Sequence, residues 1–577
     1  MFSNFLRKAH NVADDPVLRQ WLARRLTGRA PAPPAFAAHR PPYLNGFSIM
    51  APAPGVTADG FRPLAAAMPE RAMELPLAGM TLKLDPGDEE DVFRHSYEDI
   101  ETLLALHRFA WLPLSDYSEE TRNWTQALWS VWRKAFGEPD DGWTWHPYTA
   151  AERAVNMLDL AEAHGLPEPL NDTVEVLARH AGAIFQRLEY FGEHDTSNHL
   201  SNNGRGLYRL GLALDLDWAS EAGANILEHE TKRILMESGI LREGSSHYHL
   251  LIARNYADAW LAARRHGRAE EPVFRDFATR ALAVVPWLVL PGGMPLIGDI
   301  SPDCPPGHLL GLTGAGIGWV AGLGTNDRKA LLSLIDGIRP VDAESLADDG
   351  WRRLSYGPWT GLWHTSPKGW AQAPGHGHQD TGGFELHYND IAVLVDPGRG
   401  AYGELGEAAR YRTAEVHNTL TISGFEPYPV NKPYYDDAFR VAVAGPPPEI
   451  TSGGDEVHLE HNGFQRLKDV GAHSRQWRFT EKAMNLSDSL QGLGTERITR
   501  RFMTPCKAEA GAGGVVLSYD GAGSGAQSFL LHSPDAAATV TKTTLWQAYG
   551  RGREGFSITF SADAPLPWSG EIRLEVI

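Results

Sequence analysis

The sequence predicts a multidomain α and β protein in which a helical array is followed by an antiparallel β-sandwich. Three observations predict it. The chain has 577 residues, too many for one compact core. From about 95 to 340, apolar residues recur at the i, i+3, i+4, i+7 spacing of a helix face. Beyond about 355 they alternate with period two, in short runs parted by Gly- and Pro-rich turns. Runs of helices followed by runs of strands imply separate domains. The boundaries read as an N-terminal arm and entry segment at 1–94, a helical domain at 95–345 and a sandwich at 346–577.

Asp15 as N-cap and Pro16 in the first turn open a short basic amphipathic helix, Pro16 to Leu26. A Pro- and Ala-rich stretch over 28–42 suggests an extended arm. Val174, Leu177, Ala178, Ala181, Ile184, Phe185 and Leu188 mark one helix face. Comparable helices are predicted at about 99–112, 119–136, 149–163, 204–214, 219–238, 247–266 and 273–290. Short connections between them suggest antiparallel hairpins, which periodicity alone leaves as a toroid, a bundle or a solenoid. Arg339 to Gly350 is polar and loses the helical period. The strands begin with Phe384–Tyr388, turn at Asn389-Asp390 and return through Ile391–Val395. Further strands are predicted at Thr419–Ile422, Phe439–Val443, Gln476–Thr480, Gly514–Tyr519, Ser528–His532 and Ser557–Phe560.

A formal net charge of −19 argues against non-specific binding of nucleic acid or of an anionic membrane. No run of about 18 apolar residues suggests a membrane span. The N-terminus lacks an apolar leader, so the chain as given reads as cytoplasmic; a leader already removed would make it periplasmic or secreted. Cys304 and Cys506 are the only cysteines, and the sequence leaves their pairing open.

Four clusters carry chemistry. Ser197-Asn198-His199-Leu200-Ser201-Asn202-Asn203-Gly204-Arg205 crowds amides, an imidazole and a guanidinium into a predicted loop, all groups that donate to a carboxylate. Glu243-Gly244-Ser245-Ser246-His247-Tyr248-His249 opens a helix with a tyrosine between two histidines, suited to proton transfer. His376-Gly377-His378-Gln379-Asp380 points two imidazoles the same way if extended. Asp396-Pro397-Gly398 ends a buried-looking strand, and His417-Asn418-Thr419 opens the next. Together His378, Asp396 and His417 make a two-histidine, one-carboxylate metal set.

In this order, with Trp143-Thr144-Trp145-His146 and Glu152-Arg153 upstream, the motifs resemble those of heparinase II/III-like polysaccharide lyases, relatives of enzymes acting on heparin, glycosaminoglycans and alginate. The resemblance spans roughly 95–577. It implies an incomplete α/α toroid followed by an antiparallel β-sandwich, with the site at their junction. It implies β-elimination on an anionic, uronic-acid-containing poly- or oligosaccharide. Asn198 and His376 would neutralise the uronate carboxylate, helped by His199 or Asn202, and Tyr248 would transfer the proton. Tyr402 and Tyr411 compete for a second tyrosine, with Tyr402 preferred. Arg205, Glu243, His249, Tyr411 and Trp145 join Asn202 as substrate-contact candidates. His378, Asp396 and His417 would hold a divalent metal, zinc by analogy, in a structural role, with no organic cofactor and with a homodimer left open. The rival readings are an α/α-barrel glycoside hydrolase using Glu243 and Asp299, and a non-catalytic glycan-binding or exopolysaccharide-assembly protein.

Overall fold

The computed structural model describes residues 15–30, 37–47, 56–367, 369–370, 375–432, 434–521 and 525–577. Part of the predicted arm, 31–36, lies outside them. Asp15 caps the first helix, Pro16–Leu26, accepting from the Val17 and Leu18 amides at 2.9 Å each. Its Val17 and Trp21 pack on Trp370, Tyr428, Tyr435 and Phe439. A hairpin of Met73–Leu77 and Met80–Leu84, not anticipated from sequence, precedes the helical array.

The helices form an incomplete α/α toroid of antiparallel pairs. Pro147–Ala163 pairs with Leu170–Gln186, Asn198–Ala213 with Asp217–Ile234, and Ser246–Arg265 with Glu271–Leu282. The first member of each pair is internal; Ser246–Arg265 is buried on every side through Ala263. These inner helices carry a buried ion network. Arg205 bonds Glu152 at 2.9 Å and Asp258 at 2.7 Å, while Arg209 bonds Asp258, Asp159 and Glu162.

Asn198–Ala213 begins where the sequence suggested a loop. Its Asn, Ser and Gly content has low intrinsic helix propensity, but the glycines serve packing. A Cβ on Gly204 would lie 2.6 Å from the Ile226 side chain, and one on Gly206 2.6 Å from Ala151. Only glycine allows the neighbouring helices so close.

From Trp351 onward the chain builds an antiparallel β-sandwich. An eight-stranded sheet runs in the order 507–511, 514–521, 525–532, 568–576, 483–492, 470–480, 456–461 and 449–453. Two four-stranded sheets pack against it: 538–548, 551–565, 495–504, 420–422, and 351–356, 359–364, 384–388, 391–394. Trp359, Trp363 and Phe384 meet Trp477, Phe479, Leu486 and Phe529 in the shared core. Asn389 takes φ 50° at the predicted turn.

The strand predicted at Phe439–Val443 is instead part of a helix, Asp437–Ala444. Asp436 caps it, and Phe439 and Val443, four residues apart, bury one helical face against Trp21. The cysteines are buried and free. No described helix is long and apolar enough to cross a membrane.

Candidate active site at the junction of toroid and sandwich

Three segments meet backbone to backbone where the two lobes join. The Asp299 amide donates to the His376 carbonyl at 2.8 Å, and the His376 amide to the Glu243 carbonyl at 2.7 Å. Two glycines make this approach feasible. Gly244 has φ 73° with Gly377 Cα 3.1 Å from where its Cβ would be. Gly298 has φ 77°, and a Cβ there would fall 2.5 Å from the Gly244 carbonyl oxygen. Ser245 ties the same knot: its hydroxyl accepts from the Tyr248 amide at 3.1 Å and donates to the Asp299 carbonyl at 2.8 Å.

This knot lays the sandwich-side His376 flat on the helical Tyr248, with ring centroids 3.5 Å apart and an interplanar angle of 8°. Tyr402 completes the group, its hydroxyl 2.5 Å from that of Tyr248 and 3.3 Å from the Ile300 carbonyl. Asn198, in the first turn of its helix, donates to Glu243 through its amide and Nδ2, 2.7 Å each. Its Nδ2 also lies 3.5 Å from His376 Nε2. His199, with 41% of its side chain exposed, bonds Glu189 through Nδ1 at 2.8 Å. Tyr248, His376, Asn198, His199 and Tyr402 therefore line one junction.

Burial lifts Tyr248 well above the ordinary tyrosine value, the nearby Asp303 carboxylate adds to the lift, and the hydrogen bond with Tyr402 opposes it. Tyr402 is lifted by burial, by Tyr248 and by Asp299, and the same hydrogen bond raises it further. Burial thus favours the neutral form of both phenols, and the short hydrogen bond they share can be donated by either. Burial opposes protonation of His199, but the Glu189 carboxylate outweighs it and holds the imidazole above its usual value.

Behind these groups lies Asp299. Burial would raise its carboxyl, yet hydrogen bonds from His376 and His378 and the Arg399 charge hold it well below the usual range. Asp303 accepts from Tyr148 at 2.5 Å and Arg108 at 2.8 Å. Asp299 entered the sequence reading only as a rival hydrolase acid, and Asp303, Tyr148, Glu189 and Arg399 did not enter it. Arg399 was within reach, one residue past Asp396-Pro397-Gly398. Asp303 carried no local signal.

His378, Asp396 and His417 bring their ligand atoms within 4.8 Å of one another. Asn418 fixes this corner, its Nδ2 donating to the Phe384 and Val395 carbonyls at 2.7 and 3.0 Å. His378 donates through Nε2 to Asp299 at 2.9 Å, which leaves a buried Nδ1 with no hydrogen-bond partner. His417 spends Nε2 on the Tyr411 carbonyl at 3.0 Å and meets Asp396 through Nδ1 at 2.9 Å, an approach that a proton or a shared cation must bridge. The orphaned His378 Nδ1, the His417 Nδ1 facing a carboxylate, and the outer hydrogen bonds from both Nε2 atoms fit a divalent cation, zinc by donor type.

Four sequence-predicted substrate contacts, Trp145, Arg205, His249 and Tyr411, are taken up by partners inside the protein. Trp145 is buried, its indole donating to the Phe136 carbonyl at 2.7 Å among Trp132 and His180. Arg205 is locked in the ion network of the inner helices. His249 accepts from the Leu241 amide and donates to the Ala281 carbonyl, and burial pushes it down to about 4. Successive helical residues sit about 100° apart, so a histidine beside Tyr248 in sequence does not share its face. Tyr411 is buried and donates to the Thr544 carbonyl at 2.8 Å. Asn202 is buried, and neither side-chain polar atom has a partner. Glu243 stays at the junction, but its side chain is 0% exposed and acts behind Asn198 and His376.

The hydrolase pair also fails on geometry. Glu243 and Asp299 face opposite nitrogens of one imidazole, at 3.5 and 3.0 Å, rather than opposite sides of an open cleft. Both are occupied by donors.

Residues 338–568 match the family model described as Heparinase II/III-like, C-terminal. The crystal structure of a heparinase III superposes with a TM-score of 0.63 at 16% identity, covering 84% of this chain and 79% of that one. A second heparinase III, the BT4657 gene product, gives 0.55 at 15% identity over 98% and 92% of the two chains. A mutant of the heparan sulfate lyase HepC from Pedobacter heparinus gives 0.52 at 16%, over 86% and 80%. At these identities the likeness establishes the shared fold. No curated protein matches the chain in sequence.

Proposed function

We propose that the chain, whose residues 338–568 match the heparinase II/III-like C-terminal family model, is a polysaccharide lyase cleaving a uronic-acid-containing glycan by β-elimination. The observation that carries the proposal is the stack of Tyr248 on His376 with Asn198 alongside, a phenol and carboxylate-binding donors from different lobes over one space. Glycosaminoglycans are the substrate class this reading favours; alginate and bacterial uronate polymers are alternatives for the same chemistry.

Elimination removes the proton at C5 of a uronate and expels the C4 oxygen. The C5 proton is weakly acidic because the adjacent carboxylate is already negative. Asn198 Nδ2 would bind that carboxylate, joined by His376 Nε2 when the ring carries a proton on both nitrogens, with His199 adding positive charge, and each well-placed donor supplies about 3 kcal/mol as the enolate-like charge grows. Tyr248, its anion stabilised by the Tyr402 hydroxyl, takes the C5 proton. Tyr402 returns a proton to the leaving oxygen, directly or through Tyr248. His378, Asp396 and His417 would hold a zinc-type cation, which supplies charge and a cross-link beneath the His376 loop.

The test is a panel of uronate glycans assayed for the ultraviolet absorbance of the C4–C5 double bond. Cleavage with absorbance supports the lyase. Cleavage without it indicates hydrolysis, and binding without cleavage indicates a glycan-binding protein.

A further inference from the structure

We propose that Asp299 is a positioning residue whose single carboxylate sets the proton positions of both the carboxylate-binding histidine and a metal-ligating histidine, coupling the two sites. The proposal rests on the lyase reading above for its catalytic half only.

The geometry is specific. Oδ2 lies 3.0 Å from His376 Nδ1. Oδ1 lies 2.9 Å from His378 Nε2 and 2.9 Å from Arg399 Nη1. A carboxylate accepts only, so both imidazoles must present N–H to it. That puts opposite nitrogens to use two residues apart in sequence: His376 is protonated on Nδ1, and His378 on Nε2. His376 Nε2 is left to face Asn198 and Glu243, and His378 Nδ1 to face Asp396 and His417. The same aspartate orients Arg399, whose guanidinium sits 5.3 Å from the Tyr402 ring centroid and also donates to the Ala408 and Gly403 carbonyls. Asp299 belongs to the segment between the last paired helices and the sandwich, so one side chain from the helical side gathers three groups of the sandwich lobe.

Asp299→Asn is the near-isosteric test. Whichever way the amide turns, its NH2 meets an N–H: either that of His376, or those of His378 and Arg399. Neither orientation satisfies both histidines. A lost outer partner of this kind costs about 10–100-fold in activity or metal affinity. The variant is expected to lose about that much in kcat, with KM little changed, and about that much in zinc affinity, measured with zinc alone against a chromogenic chelator. Wild-type kcat together with wild-type zinc affinity would overturn the proposal, as would loss of one with the other intact.

A second readout needs neither the variant nor turnover. In 15N-histidine spectra of the zinc-loaded wild-type protein, assigned with His376→Gln and His378→Gln, Nδ1 of His376 and Nε2 of His378 must each carry a proton. If either nitrogen is bare, the proposal falls. A wild-type protein that yields no unsaturated product from any uronate glycan removes the lyase reading, while these spectra still decide the role of Asp299.

Discussion

Replacing Tyr248 with phenylalanine separates chemistry from architecture. The ring keeps its 3.5 Å stack on His376, so the packing that joins the lobes survives. The variant loses the hydrogen bonds of the hydroxyl to Tyr402 and Ser301, and Tyr402 retains the Ile300 carbonyl as a partner. A typical intramolecular hydrogen bond contributes about 1 kcal/mol net, so thermal stability should change little. The rate should change greatly. A positioned proton-transfer group contributes about 10²–10⁴-fold, which is about 3–5.5 kcal/mol of barrier at ~1.4 kcal/mol per decade. Because the hydroxyl acts on the departing proton, kcat should fall with KM almost unchanged. Initial rates of unsaturated-product absorbance, with a circular-dichroism melt on the same preparation, check both halves. Tyr248→Phe retaining a third or more of wild-type kcat would refute the role assigned to this residue.

Tyr402→Phe removes the hydrogen bond that lowers Tyr248; Tyr248 then ionises at higher pH, and the ascending limb of kcat against pH should shift in that direction. Asp258→Asn breaks the buried contacts to Arg205 and Arg209, at a cost of about 3–5 kcal/mol, read as a lower unfolding temperature. Arg209 and Arg205 hold the Asp258 carboxyl below its usual range against the effect of burial, so its contribution is full above the unfolded value near ~3.9 and is lost as pH falls toward the folded one. The deficit of the variant should therefore shrink at low pH, and a constant deficit there would contradict the assignment. The two tryptophans of the upstream motif should part company. Trp143 is 60% exposed and lies 5.5 Å from His146, which itself approaches Glu189, the partner of His199. Trp143→Ala should raise KM for polymer about 3- to 10-fold, from ~1 kcal/mol of lost stacking, without lowering stability. Trp145→Ala should destabilise the fold by about 3–5 kcal/mol.

What the sequence made legible depended on whether a residue's role was written in its neighbours. His376-Gly377-His378 and His417-Asn418-Thr419 lie in loops that lead into the strands Phe384–Tyr388 and Leu420–Ile422, and the structure puts His378 and His417 beside Asp396. On helices the same reasoning misled. Arg205 and Trp145 look like ligand contacts because they are polar or aromatic beside site motifs. Their partners, Asp258 and His180, come from other helices and cannot be seen in a local window. The Ser197–Arg205 stretch resembles a loop because its serine, asparagines and Gly204 are turn residues, although Gly204 serves here to admit Ile226 of the neighbouring helix.

Asp299 shows the limit most sharply, because one residue type supports opposite chemistries. A carboxylate near a sugar site reads equally well as a hydrolase acid or as an anchor for imidazoles. Only its donors decide. A general acid must hold a proton to give to the leaving oxygen, whereas Asp299 is met by three N–H groups on its two oxygens and is driven toward the anion. An acid so held cannot protonate a leaving group near neutral pH. Proton delivery is then left to a group whose neutral form the site favours, and Tyr248 and Tyr402, both raised by burial, are such groups. In the proposed elimination the ionised aspartate holds the imidazoles, Tyr248 gives up its own proton before it takes the one from C5, and the neutral Tyr402 supplies the proton for the leaving oxygen.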